Sequence, residues 1–433
     1  MDIDLKQKLN STEGIHAWQY RIKEDENYQL YLTKEKTEYV RKVQTEQIEV
    51  TIYRQLSENK SGEAIFYFTP VEEFQIDEKL EKALYVASLA AQKPYNVPGP
   101  APYKTVPILN EELIKEPEKV LKQFRERVIA SVRKEPGVEL SSSECYISKQ
   151  SIIFENSSGC YGKMVKSVIS WDFVLLAGDE LQSESWYEGS CCNYSQLNIE
   201  NKIAEYAGYA RDNVKTSLPK SSNTAIIVNA KPLIPLFETL IAHSSARFIY
   251  DNISSFKKGK DIFRGNKLFG EELNMASNPL MPYGLRSSPF DSDGVASDRI
   301  EIIKNGKLEN IWSTKRYADY LNVTPTGKFS NIEISPGKHC LEDLLKAKEK
   351  PVYHIIMFSF LNPDLVSGDF ATEIRFGYEI QPSGKIIPVK GGSVTGNIFE
   401  MLAHTYFSKE TAIEGHYFGP CAIRFESARI SGN

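Results

Sequence analysis

AIIVNAKPLIPLFETLIAHSSARFIY, Ala225 to Tyr250, is the stretch on which the reading of the whole chain turns, because it holds the best candidate for a metal-binding helix. The apolar run Ala225–Val228 has the length of a buried strand. Lys231, Pro232 and Pro235 interrupt it, after which Leu236, Leu240 and His243 or Ser244 recur at helical spacing, so the pattern predicts strand, turn, helix. Glu238 and His243 are a carboxylate and an imidazole, both zinc-ligand types. Five residues at about 100° each place them about 140° apart around an ideal helix, so a shared ion needs a π-type distortion or a helix end between them. The plainer expectation is that Glu238 is solvated or pairs with Arg247, and that His243 is a hydrogen-bonded residue closing the helix.

Working outward, 433 residues with 41% hydrophobic content suffice for two or three cored domains. A net charge of -5, with no block of lysine or arginine denser than Lys257, Lys258 and Lys260, argues against nucleic acid as partner. The opening MDIDLKQKLN lacks the basic and then apolar order of a signal peptide, and no apolar run approaches membrane-spanning length. A cytoplasmic location without membrane association is expected. Six cysteines, at 145, 160, 191, 192, 340 and 421, form no CxxC pair, and vicinal Cys191 and Cys192 read as reduced thiols.

The expected fold class is α+β: an N-terminal domain, 1–220, with an antiparallel sheet and covering helices, and a C-terminal, mostly-β domain, 221–433. Tyr28–Thr33, Ile48–Leu56 and Ala64–Thr69 alternate as strands of a meander. Asp77 is placed to cap a helix bearing Leu80, Leu84, Ala87 and Ala91. Pro94, Pro98, Pro100, Pro102 and Pro107 make an extended strap. Pro117 opens a second helix carrying Val120, Phe124 and Val128 inward, and Asn198–Lys215 forms a third. TSLPKSSN, Thr216–Asn223, is small, polar and the best boundary. Further on, Asn305-Gly306 joins a hairpin. Asp291 and Asp293 in DSDG invite a calcium reading, but the loop lacks the later ligands of an EF-hand, which favours an aspartate-glycine turn.

Several stretches in fixed order together resemble the TldD/PmbA peptidase family. They are IEVTIY (Ile48–Tyr53), YISKQSIIFENSSGCYG (Tyr146–Gly162), SSPFDSDGVASDRIEIIKNGKLEN (Ser287–Asn310), SGDFATEIRFGYEIQPSGKIIPVKGGSVTGNIFEML (Ser367–Leu402) and GPCAIRFESARISGN (Gly419–Asn433). The resemblance implies a two-domain α+β protein. It also implies one of two roles: a TldD-type subunit with zinc held by HExxxH and a distal cysteine, or a PmbA-type (TldE) partner lacking that site. Such a pair trims leader peptides and degrades unfolded polypeptides, holding the substrate as an added strand.

Laid on HExxxH, Glu238 stands for the first histidine, Thr239 for the glutamate and His243 for the second histidine. Threonine cannot accept the proton of a metal-polarised water at neutral pH. The segment that would present the distal cysteine, IFEMLAHTYFSKETAIEGHYF, contains none, and Cys421 lies beyond it. His404 and His416 are the possible substitute ligands. No cofactor and no metal are therefore expected. The expected role is the non-catalytic PmbA/TldE-like subunit of a heterodimer with a TldD-type zinc subunit, holding peptide through Gly368, Asp369 and Phe370. The alternatives are a peptide-binding homodimer without peptidase activity, or a divergent metallopeptidase with a rebuilt site.

Overall fold

The computed structural model describes residues 4–178 and 183–433. The meander is built from strands longer than the sequence pattern suggests. They are β1 (Ala17–Thr33), β2 (Lys36–Ser57), β3 (Lys60–Phe68), β4 (Ala91–Gln92), β5 (Val138–Asn156), β6 (Tyr161–Ala177) and β7 (Ser183–Cys191), in the order β4-β3-β2-β1-β5-β6-β7. Alternation explains which face is covered. Ile48, Val50 and Ile52 of β2 pack against Ile76, Leu80, Ala83 and Ala87 of helix α1 (Ile76–Leu89). Helices α2 (Pro117–Val132) and α3 (Ile199–Asn213) cover the same face further along, where Phe124 meets Trp171 and Tyr206 meets Phe173. Gly62 is demanded by this packing, since a Cβ there would lie 1.6 Å from the Ala87 carbonyl oxygen.

The residues of β2 between these apolar positions, Glu49, Thr51 and Tyr53, are buried as well. They face the C-terminal half, so the sheet is a middle layer rather than a solvent-facing wall. The proline-rich strap runs without regular structure and binds the halves together: Tyr103 donates to the Gly294 carbonyl (2.9 Å) and Lys104 pairs with Asp298 (2.9 Å). Arg316 pairs with Glu63 across the same junction, and the Tyr95 hydroxyl donates to Glu63 (2.6 Å).

Two details of the first half differ from expectation. Helix α1 follows a 3-10 turn, Pro70–Gln75, which Thr69 and Glu72 cap reciprocally, so Asp77 lies inside the first helical turn and pairs with Lys8. Ala91 belongs to β4 and is exposed, and Ala83 takes its place in the apolar stripe.

In the second half the strands are β8 (Ser222–Asn229), β9 (Met275–Ser277), β10 (Ile300–Lys304), β11 (Lys307–Leu308), β12 (Ile332–Ile334), β13 (Val352–Phe358), β14 (Asp369–Ile380), β15 (Ile386–Val389), β16 (Ser393–Asn397), β17 (Thr405–Phe407), β18 (Thr411–Glu414), β19 (Tyr417–Pro420) and β20 (Ala422–Ser431). One sheet has the order β11-β10-β9-β12-β19-β18. The other runs β13-β8-β20-β16-β14-β15, and the further pairing of β13 with β14 closes it on itself. Asn305 and Gly306 both have positive φ, at 50° and 66°, as a two-residue hairpin turn between β10 and β11 requires.

Helix α4 (Ala230–His243) is held between the two sheets, with Leu233, Leu236, Phe237 and Leu240 buried among Val228, Met275, Ile332 and Tyr417. No turn separates it from β8: Asn229 ends the strand, and Ala230 opens the helix with its N–H on the Cys421 carbonyl (2.9 Å). Pro232 fits because the first-turn N–H groups have no helical partner, whereas Pro235 forgoes one helical bond. Among the described residues no helix is long and apolar enough to cross a membrane.

Candidate functional site

His243 is the last residue of α4 and is fully buried. The backbone N–H of Ser255 donates to its Nδ1 (3.0 Å), so the lone pair resides there and the proton on Nε2. Nε2–H then donates to the Val366 carbonyl (3.1 Å). Phe248, Phe256 and Phe399 surround the ring at centroid distances of 5.6, 5.3 and 5.2 Å. Burial lowers its pKa, opposed by the bond to Val366, and the charge of Arg264 lowers it further. His243 is a neutral imidazole with both nitrogens in use.

Arg264 completes this arrangement. Its Nη2 lies 3.2 Å from Nε2 of His243 and donates to the Val366 carbonyl (2.7 Å), Nη1 donates to the Ser367 carbonyl (2.7 Å), and Nε to the Ser255 hydroxyl (3.0 Å). The guanidinium rests 3.7 Å over the Phe399 ring. A fixed cation therefore sits beside the nitrogen that a divalent metal would need, and the imidazole offers no free lone pair. The residues present do not fit a zinc ion.

Glu238 points elsewhere, as the spacing around the helix requires. Its carboxylate is half-exposed, with Oε1 3.9 Å from Arg286 Nη1. Arg247, its expected partner, pairs instead with Asp251 (3.6 Å) one helical turn on. Thr239 is fully buried with its hydroxyl unpaired among the described residues. His404 stacks on Phe269 (4.9 Å), and His416 is a partly buried residue whose pKa burial pushes down to about 4. Among the described residues no three His, Cys, Asp or Glu side chains come together as a metal site. Cys421 approaches the Ser408 hydroxyl (3.3 Å) and packs beside Ile227 and Ala422.

In DSDG, Asp291 Oδ1 accepts from the N–H groups of Asp293 and Val295 (2.9 Å each), and Oδ2 from that of Lys328 (3.1 Å). Its carboxylate is spent on the turn, and burial beside Asp293 pushes its pKa up to about 7. Cys191 and Cys192 are free, buried thiols.

The segment holding Gly368, Asp369 and Phe370 is a tight loop feeding β14. Asp364 caps it by accepting the N–H groups of Val366 and Ser367. Gly368 N–H donates to the Asp364 carbonyl and its own carbonyl accepts from Ile398, so its backbone is already paired. Its φ is +83°, and a Cβ would meet the Phe399 ring at 2.5 Å, which explains the glycine by packing. Phe370 is buried, while Asp369 receives a bond from the Asn397 amide (2.8 Å) on the wall of a groove of about 610 Å3 shared with Glu400, His404 and Arg429.

Arg264 and its two carbonyl acceptors are invisible to sequence reasoning. Arg264-Gly265-Asn266 reads as a turn, and φ of +52° at Arg264 agrees, but nothing local names a partner about a hundred residues away.

Residues 221–432 match the family model for the PmbA/TldA metallopeptidase C-terminal domain. A zinc metalloprotease TldD homolog of Saccharolobus solfataricus is 23% identical over 282 residues, 61% of this chain and 60% of that protein. A metalloprotease PmbA homolog of Buchnera aphidicola is 24% identical over 262 residues, 58% of this chain and 56% of the relative. The chain thus spans little more than half the length of these curated relatives. The crystal structure of TldE from Thermococcus kodakarensis superposes with a TM-score of 0.81 at 16% identity, over 98% of both chains, and shows the same fold.

Proposed function

From the premise that the chain belongs to the TldD/PmbA family, we propose that it is the metal-free, PmbA/TldE-like subunit of a two-subunit peptidase. In this reading residues 1–220 and 221–433 are its two domains, a division supported by the start of the family match at residue 221. A cytoplasmic location and a TldD-type zinc subunit as partner belong to the same proposal. The observation that carries it is the state of His243: Nδ1 accepts from Ser255, Nε2–H is given to Val366, and Arg264 stands beside them. With Thr239 where the HExxxH pattern has its glutamate, the side chain at that position cannot take a proton from an attacking water.

What remains is a peptide-holding role. Arg264 pins the carbonyls of Val366 and Ser367 and so fixes the loop that delivers Asp369 to its groove. Gly368, with its backbone paired and its φ at +83°, makes the tight turn of that loop, and Phe370 anchors it in the core. The substrate would be a leader peptide or unfolded polypeptide.

The test is peptide hydrolysis by the purified chain, alone and mixed with a TldD-type protein, with zinc measured in each. The expected result is no cleavage alone and cleavage in the mixture, with zinc only in the partner. Chelator-sensitive cleavage by the chain alone refutes the proposal.

A further inference from the structure

A second cleft, of about 600 Å3, opens between the face of the N-terminal sheet turned away from its helices and the C-terminal half, on the side of α4 that carries Glu238. That volume falls within the range of about 300–1,000 Å3 usual for small-ligand sites. At its base is Lys166 of β6, only 7% exposed. Its polar neighbours are uncharged: the Leu285 carbonyl, to which the ammonium donates, and the buried Cys192 thiol. Lysine is almost never buried unless paired, and here no carboxylate among the described residues forms an ion pair with it.

The other charges leave the same imbalance. Arg286 reaches into the cleft with a side chain 45% exposed, and its ion-pair partner among the described residues is Glu238, at 3.9 Å, beyond hydrogen-bond range. Lys328 lines the mouth without an ion pair among the described residues. Arg21 is already matched by Glu49. Asp291 faces the cleft with its oxygens committed to backbone N–H groups. Three cations, Lys166, Arg286 and Lys328, thus oppose the loosely held Glu238 and the turn-bound Asp291. Met164, Phe290 and Phe329 supply an apolar wall next to this positive base.

We infer that this cleft binds the C-terminal carboxylate of a peptide, with Lys166 and Arg286 holding the anion and the terminal apolar side chain lying against Met164, Phe290 and Phe329. A carboxylate supplies the missing negative charge, and a bidentate contact suits the guanidinium. The apolar wall selects a peptide end over an inorganic anion. The choice of a peptide rests on the peptide-holding role proposed above.

The test is calorimetric titration of the full chain with an apolar hexapeptide carrying a free C-terminus, with the same peptide amidated, and with inorganic phosphate. The free acid should bind at least about tenfold more tightly than the amide, and phosphate more weakly than the acid. Lys166→Met and Arg286→Gln should each remove most of the difference between acid and amide, and Glu238→Gln should tighten the acid by freeing Arg286. Lys328→Ala, at the exposed mouth, should weaken the acid by a smaller factor, through the lost positive charge, without touching the buried base. Equal affinity for acid and amide overturns the carboxylate site while leaving the peptide-holding role intact. Binding of neither peptide overturns both, and phosphate binding as tightly as the acid shows a general anion site and overturns the assignment to a peptide end.

Discussion

Arg264 and His243 converge on one atom: Nη2 of the arginine and Nε2 of the histidine lie 3.2 Å apart and both donate to the carbonyl oxygen of Val366. A cation and a neutral imidazole thus share an acceptor at the C-terminal end of α4. Arg264→Met should loosen the 364–368 loop and cost about 1 kcal/mol in urea unfolding, below the ~1.5–3 kcal/mol usual for charged hydrogen bonds because the arginine is exposed. In the same variant the His243 pKa, followed by NMR, should rise, since the charge of Arg264 is one of the causes holding it down. An unchanged titration would show the two residues to be electrostatically independent.

Restoring the sequence motif should not restore the site. The double variant Glu238→His, Thr239→Glu recreates HExxxH, yet the first position faces Arg286 and the lone pair of His243 belongs to Ser255. Elemental analysis after dialysis should find zinc well below one ion per chain. Stoichiometric zinc in this variant would mean that His243 is freed at little cost.

The two causes of the glycine at 368 can be separated. Gly368→Ala combines a positive φ with a ring contact at 2.5 Å and should cost about 2–3 kcal/mol. Gly384→Ala has nearly the same φ, +82°, with nothing within 4 Å, and should cost about 1 kcal/mol. Equal costs measured by chemical denaturation would remove the packing explanation.

His354 bonds the Asn229 side chain (2.7 Å), and burial pushes its pKa down to about 4. A depressed histidine pKa means that the unfolded chain takes up the proton first. Its contribution is therefore present in full above about pH 6.5 and is lost as pH falls toward 4. Relative to His354→Asn, the wild type should lose about 2 kcal/mol more stability between pH 7.5 and 4. A pH-independent difference between the two proteins contradicts this.

Glu63 joins the halves through Arg316 and Tyr95. Glu63→Ala strands a partly buried guanidinium and should cost about 2 kcal/mol, with faster limited proteolysis across the strap. An unchanged proteolysis rate would assign the junction's strength to apolar contacts alone.

Local pattern sufficed where one face or one backbone conformation decides. Period-two alternation in β1, β2 and β3, Pro117 opening α2, and Asn305-Gly306 closing a hairpin were all legible in sequence because each is a short-range choice. The cap on α1 was missed because the preceding 3-10 turn carries its own reciprocal cap. The missing turn before α4 was missed because prolines near a helix start interrupt a pattern without interrupting a helix.

By itself the sequence determined the α+β class, the resemblance to the TldD/PmbA family, and the threonine at position 239, since all three reside in residue identity and order. Only the tertiary structure decided what His243 is. Its two partners, Ser255 and Val366, and the cation beside it, Arg264, come from segments 12 to 123 residues away, brought together by the closure of β13 on β14 and the packing of Phe399. Protonation and ligand capacity follow from such long-range neighbours, which no local periodicity encodes.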